Sequence, residues 1–132
     1  MTTINRPYKN CLLIDDCNLD HLINIKMIER ANFAENFIVT RSPEDALKML
    51  RDKFIVPDLI FFDITMPGMN GFDFIKEYKK IGIDRKLTKI FILSSSINPT
   101  DIKKATENDY VTGYIFKTLT QNVLQKIAQM KI

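Results

Sequence analysis

Residues 59–71 read Leu59-Ile60-Phe61-Phe62-Asp63-Ile64-Thr65-Met66-Pro67-Gly68-Met69-Asn70-Gly71. Four apolar residues in a row stop on a carboxylate and pass into a segment that holds a proline and two glycines. A run this short, continuous rather than alternating, predicts a strand buried on both faces, as in a parallel sheet. Similar runs recur as Cys11-Leu12-Leu13-Ile14, Phe37-Ile38-Val39, Ile90-Phe91-Ile92-Leu93 and Tyr114-Ile115-Phe116. Their starts lie about two dozen residues apart, and parallel strands need crossovers of about a dozen residues or more, so each interval has room for one helix.

The intervals carry helix signals. Leu19, Leu22, Ile23 and Met27 mark one face of a first helix that ends near Arg30. Ser42-Pro43-Glu44-Asp45 predicts a helix start with Ser42 as N-cap, followed by Ala46, Leu47 and Leu50 at helical spacing. Asn70-Gly71 opens a third helix, with Phe72, Ile75 and Tyr78 inward and Asp73, Lys76, Glu77 and Lys80 outward. Asn98-Pro99 opens a fourth, whose apolar face is thin (Ile102 and Ala105) and whose end at Asn108-Asp109 suits a left-handed cap. Thr120 caps a fifth, with Val123, Leu124, Ile127 and Ala128 inward. The fold class is therefore α/β: a (βα)5 unit with a doubly wound sheet of five parallel strands.

A length of 132 residues corresponds to one domain at about 150 residues per domain. With 45% apolar and 27% charged residues, the chain is an ordinary globular sequence and not a disordered one. A net charge of +3, with no Lys/Arg run longer than Lys79-Lys80, argues against nucleic acid as a partner. No stretch approaches the ~18 apolar residues of a membrane span, and the N-terminus lacks the apolar core of a signal peptide. Two cysteines are too few for a disulfide framework. Cys11 reads as a buried thiol in a reducing compartment, so the expected location is cytoplasmic. Cys17, beside Asp16, reads as inert because carboxylates disfavour a thiolate. His21, the one histidine, reads as a surface residue.

The chemistry collects where the strands end. The first runs into Asp15-Asp16, the third ends in Asp63, the fourth in Ser94-Ser95-Ser96 and the fifth in Lys117. In a parallel sheet all these ends share one edge, which is where open α/β sheets bind ligands. Three converging carboxylates repel one another unless they bind protons or a cation, and oxygen donors of this kind suit Mg²⁺. A lysine ammonium and a serine hydroxyl on the same edge supply the donors that phosphoryl transfer needs.

These residues resemble the receiver domain of two-component response regulators, of the stand-alone chemotaxis type. The resemblance rests on Asp15-Asp16, the Asp63–Gly71 segment, a hydroxyl after the fourth strand and Lys117, and it spans roughly Lys9 to Lys131. It implies the flavodoxin-like strand order 2-1-3-4-5. It further implies that Asp63 is the phosphoacceptor, charged by a histidine kinase or histidine phosphotransfer protein. Mg²⁺ would be held by Asp16, Asp63 and the Thr65 carbonyl, with Asp15 acting through a water. Lys117 would pair with Asp63 and then with the phosphoryl oxygens, Ser94 would bond the phosphoryl group, and the backbone amide of Ser95 would reach the same oxygens. Tyr114, which by itself reads equally as a core filler, would be the switch aromatic. It would turn inward as Ser94 moves, changing the surface formed by the fourth helix, fifth strand and fifth helix for a downstream protein partner. Lys103 and Lys104 on the fourth helix read as solvated charge.

Two positions depart from the family pattern. Thr118 follows Lys117 where a proline in a cis peptide is usual. Because a cis bond before any other residue costs about 3–4 kcal/mol, that turn is either trans or strained. Asn108-Asp109 stands where glycine is common. Other classes fit less well. A phosphatase of the haloacid dehalogenase type needs an acid two residues after its nucleophilic Asp, where this chain has Thr65. A flavin binder would not place Asp15-Asp16 against its phosphate. A degenerate receiver serving only as an interaction module would not need the acidic pair, Asp63 and Lys117 together. The expected organisation is a tail over 1–8 and a single receiver domain over 9–132 with no output domain. Such a chain is a signalling switch and not a metabolic enzyme, and it contacts neither membrane nor nucleic acid.

Overall fold

Five parallel strands and four helices make up the described part of the chain. The computed structural model describes residues 8–14, 26–27, 29, 34–53, 56–63, 71–83, 88–94, 98–116 and 120–129. In chain order the elements are β1 (Tyr8–Ile14), β2 (Ala34–Thr40), α1 (Pro43–Arg51), β3 (Leu59–Asp63), α2 (Gly71–Ile81), β4 (Lys89–Ser94), α3 (Pro99–Glu107), β5 (Gly113–Phe116) and α4 (Gln121–Gln129). Between β1 and β2, Lys26, Met27 and Glu29 are helical; the rest of the predicted first helix lies outside the described residues. The strand order is β2-β1-β3-β4-β5, as the resemblance implied, and every neighbouring pair is parallel.

Alternation along the strands sorts the core onto two faces, because successive side chains point to opposite sides of a sheet. Leu12, Ile14, Ile60, Phe62, Ile90 and Ile92 face Ala46, Leu47 and Leu50 of α1, Phe74, Ile75 and Tyr78 of α2, and Ala105 of α3. Cys11, Leu13, Leu59, Phe61, Phe91 and Leu93 face Leu124 and Ile127 of α4, with Met27 against the same cluster. All five positions of β3 are buried, which is why its sequence shows no polar alternation.

The helix starts follow the sequence signals. The Ser42 hydroxyl accepts the Asp45 N–H at 3.2 Å, with Pro43 at the first position of α1. The Asn98 side chain accepts the Thr100 N–H at 2.9 Å, and the Thr120 hydroxyl accepts the Val123 N–H at 3.2 Å. The end of α3 differs from expectation. Asn108 has an extended backbone (φ −85°, ψ 122°); its N–H donates to the Ala105 carbonyl and its side chain accepts the Tyr110 N–H. The Asn108 backbone N–H thus meets a carbonyl of the last turn without a left-handed residue, and its side chain fixes the chain that follows. The one left-handed residue other than glycine among those described is Lys53, φ 56°, just after α1.

The inward face of α2 is wider than predicted. Phe74 is fully buried, with its ring 5.4 Å from that of Phe62, while Phe72 is half-buried. β1 also begins at Tyr8, three residues before its apolar run and one residue inside the segment expected as a tail. Asp58 explains the early start: its carboxylate accepts the N–H groups of Lys9 and Asn10, each at 2.9 Å. Its own N–H donates to the Asn10 carbonyl, and its carbonyl accepts the Lys89 N–H. One residue thereby ties β1, β3 and β4 together at the amino edge of the sheet.

Candidate functional site

The opposite, carboxyl edge is where the sequence placed its chemistry. The chain leaves β1 toward β2 on one side and returns to β3 on the other, so the order reverses between β1 and β3. Ligands of open α/β sheets bind at such a switch point. Asp63 is the last residue of β3, at this reversal, and lies level with Leu93 of β4; the end of β1, Ile14, is level with Phe62. Asp63 therefore extends one ladder position beyond the end of β1.

Asp63 is 7% exposed, the one buried carboxylate among the described residues. A charge removed from water is costly unless it is paired or hydrogen-bonded, and Asp63 does make interactions within the chain. Local sequence accounts for the placement. Leu59–Phe62 are drawn in from both sides of the sheet, and the strand carries Asp63 with them up to its last ladder position.

Two further predicted residues lie at or near the same edge. Ser94 ends β4 and is level with Phe116 in β5, while Tyr114 is level with Ile92. Tyr114 is half-buried and packs on the core cluster that contains Ala105, on the side of the sheet covered by α3. Asp15, Asp16, Thr65, Ser95, Lys117 and the Lys117-Thr118 turn lie outside the described residues. Among the described residues, no three His, Cys, Asp or Glu side chains form a metal-holding group. What the described part of the edge offers a metal is the Asp63 carboxylate, an oxygen donor of the hard type that fits Mg²⁺.

Cys11 is fully buried, as expected from its apolar run. Burial, and secondarily the Asp58 carboxylate, drives its thiol far above the ordinary range, so it has no nucleophilic role. No helix among the described residues is long and apolar enough to cross a membrane. The structure also assembles what sequence reading did not isolate: the Asp58 clasp and a cleft between α2 and α3. Both depend on residues far apart in the chain, and neither has a local motif.

The chain matches the response regulator receiver domain over residues 11–129. It is similar to the chemotaxis protein CheY of Thermotoga maritima, 26% identical over 121 residues that make up 92% of this chain and 98% of that protein. The sensor histidine kinase CheAY of Helicobacter pylori is 28% identical over 121 residues, 92% of this chain but 15% of that larger protein. A two-component response regulator from Cytophaga hutchinsonii superposes with a TM-score of 0.87 at 30% identity, over 96% of this chain and 98% of that one.

Proposed function

The chain belongs to the response regulator receiver domain family, and we propose that Asp63 is its phosphoacceptor. Receiver domains are signalling modules whose chemistry is confined to their own phosphotransfer and dephosphorylation. In the proposed step a carboxylate oxygen of Asp63 attacks the phosphorus of a phosphohistidine. The new O–P bond makes an acyl phosphate, the N–P bond breaks, and its electron pair returns to the imidazole of the donor kinase or histidine phosphotransfer protein. The observation that supports this most is the burial of Asp63 at the end of the central strand, at the switch point of the sheet.

Asp16, Asp63 and the Thr65 carbonyl are the proposed holders of Mg²⁺, with Asp15 engaging it through a water. Bound there, Mg²⁺ would offset the charge of the carboxylates and of the incoming phosphoryl oxygens. Lys117 then balances the acyl phosphate, the Ser94 hydroxyl donates to a phosphoryl oxygen, and the Ser95 N–H reaches a second. Movement of Ser94 opens room that Tyr114 takes up, changing the surface of α3, β5 and α4. That local charge event biases a two-state element, and a downstream protein reads the result in the cytoplasm.

The test is intact-mass measurement after incubation with Mg²⁺ and acetyl phosphate. One hydroxylamine-labile phosphoryl group should add to the wild-type chain and be missing from Asp63→Asn. An adduct that survives in Asp63→Asn, or no adduct from any phosphodonor, would overturn the assignment.

A further inference from the structure

The lysines of α2 and α3 divide into two sets. Of the five on these helices, Lys80 pairs with Glu77 at 3.1 Å and Lys103 with Glu107 at 4.0 Å. Glu77 also takes Arg51 from α1 at 3.8 Å. Among the described residues, the other three, Lys76, Lys79 and Lys104, form no ion pair, and all three line one cleft of about 510 Å³ between the two helices. Two of them are held there by rings: the Lys79 ammonium lies 5.0 Å from the centre of the Tyr110 ring, and that of Lys104 lies 5.7 Å from the centre of Phe72. Such contacts fix a cation weakly and leave its remaining donors for another acceptor.

We infer that this cleft is a docking site for an acidic peptide segment of a partner protein, one that brings an apolar side chain to Phe72 and carboxylates to Lys76, Lys79 and Lys104. Charge complementarity selects this occupant. The cleft's own carboxylates are already engaged, Glu107 with Lys103 and Asp109 within the chain, so positive charge is in excess along its lining. The donors are lysines, which act as point charges and do not fork around a phosphate as arginine does. Glu107 and Asp109 line the same cleft and repel a densely charged polyphosphate, but they tolerate a peptide, whose carboxylates are spaced along a chain. Half-buried Phe72 gives that peptide an apolar anchor, and small interfaces draw their affinity from such anchors.

The inference does not depend on phosphorylation, so the experiment uses the whole, unphosphorylated, ¹⁵N-labelled chain. It is titrated with a short synthetic peptide of Asp and Glu around one central Phe, and in parallel with the Asn/Gln version and with tripolyphosphate. The acidic peptide should shift the amide signals around Lys76, Lys79 and Lys104. Binding should weaken about tenfold in Lys76→Gln/Lys79→Gln/Lys104→Gln. Lys126→Gln, on the helix that covers the other face of the sheet, and Asp63→Asn should bind as the wild type does, which separates this site from the phosphoacceptor. Raising the salt to about 1 M, where the Debye length falls to about 3 Å, should remove most of the effect. The three lysines are exposed, so their replacement leaves the core intact. No shift at these residues, equal binding by the triple variant or by the Asn/Gln peptide, or binding of tripolyphosphate alone would each overturn the assignment.

Discussion

Gly113 opens β5 with its backbone against the buried Phe91 ring. A β-carbon there would lie 3.0 Å from both Cδ1 and Cε1 of Phe91, which is 3% exposed and has its ring 5.9 Å from that of Phe61. The ring has little room to retreat, so Gly113→Val should cost about 1–3 kcal/mol in urea unfolding. An unchanged midpoint would show that β5 shifts freely. Cys11 gives a pH test. Its thiol is driven up by burial, so the folded chain keeps the proton while the unfolded chain releases it above about pH 8.5. Stability from this group is complete below that pH and falls above it, by up to about 1.4 kcal/mol per pH unit. Cys11→Ala should lack this extra alkaline loss when unfolding midpoints of the two proteins are compared from neutral pH upward. Asp63 was legible at this scale because a charge ends an unbroken apolar run. Phe74 was not, since its burial depends on Phe62, a residue of another element.

The central strands β1, β3 and β4 were legible because burial on both faces removes the polar alternation, leaving short runs of Ile, Leu and Phe. The edge strands β2 and β5 keep an apolar run but are only half-buried along it. Helix starts were legible because Ser42, Asn98 and Thr120 satisfy orphan N–H groups within three residues of themselves. The start of β1 was not, because Asp58 holds it from 48 and 49 positions away. Asp58→Ala would leave the Lys9 and Asn10 amides without their acceptor and should destabilise the chain by about 1–3 kcal/mol. Asp58→Asn, which keeps one acceptor oxygen, should recover part of that loss. Hydrogen exchange at Asn10 reads the same contact, and protection that survives in Asp58→Ala would show that the ladder alone holds β1. The end of α3 is local: the Asn108 N–H donates to the Ala105 carbonyl while its side chain accepts the Tyr110 N–H, an outcome that residue type permits but does not require.

For the molecule as a whole, the two sheet edges do different work. The amino edge is fastened by Asp58 across β1, β3 and β4, while the carboxyl edge carries Asp63. If Mg²⁺ sits there as proposed, it adds folding free energy by mass action, about 2.7 kcal/mol at a hundred times its Kd. Thermal unfolding with and without Mg²⁺ should show this rise, and Asp16→Asn should remove most of it; an equal rise in that variant would move the metal elsewhere. The strands, the helix caps and the carboxylate after the third strand follow from the sequence by itself, because hydrophobicity and capping act within a few residues; that β2 and β5 lie at the edges and stay half-buried does not. Tertiary structure alone decides that α1, α2 and α3 share one face of the sheet while α4 covers the other. It also decides that Lys76 and Lys104, which read as outward or solvated charge along their helices, line a single cleft with Lys79. The reason is geometric: a helix's period tells which residues share a side, but the neighbour on that side is chosen by long-range packing through Tyr78, Ala105 and Tyr110.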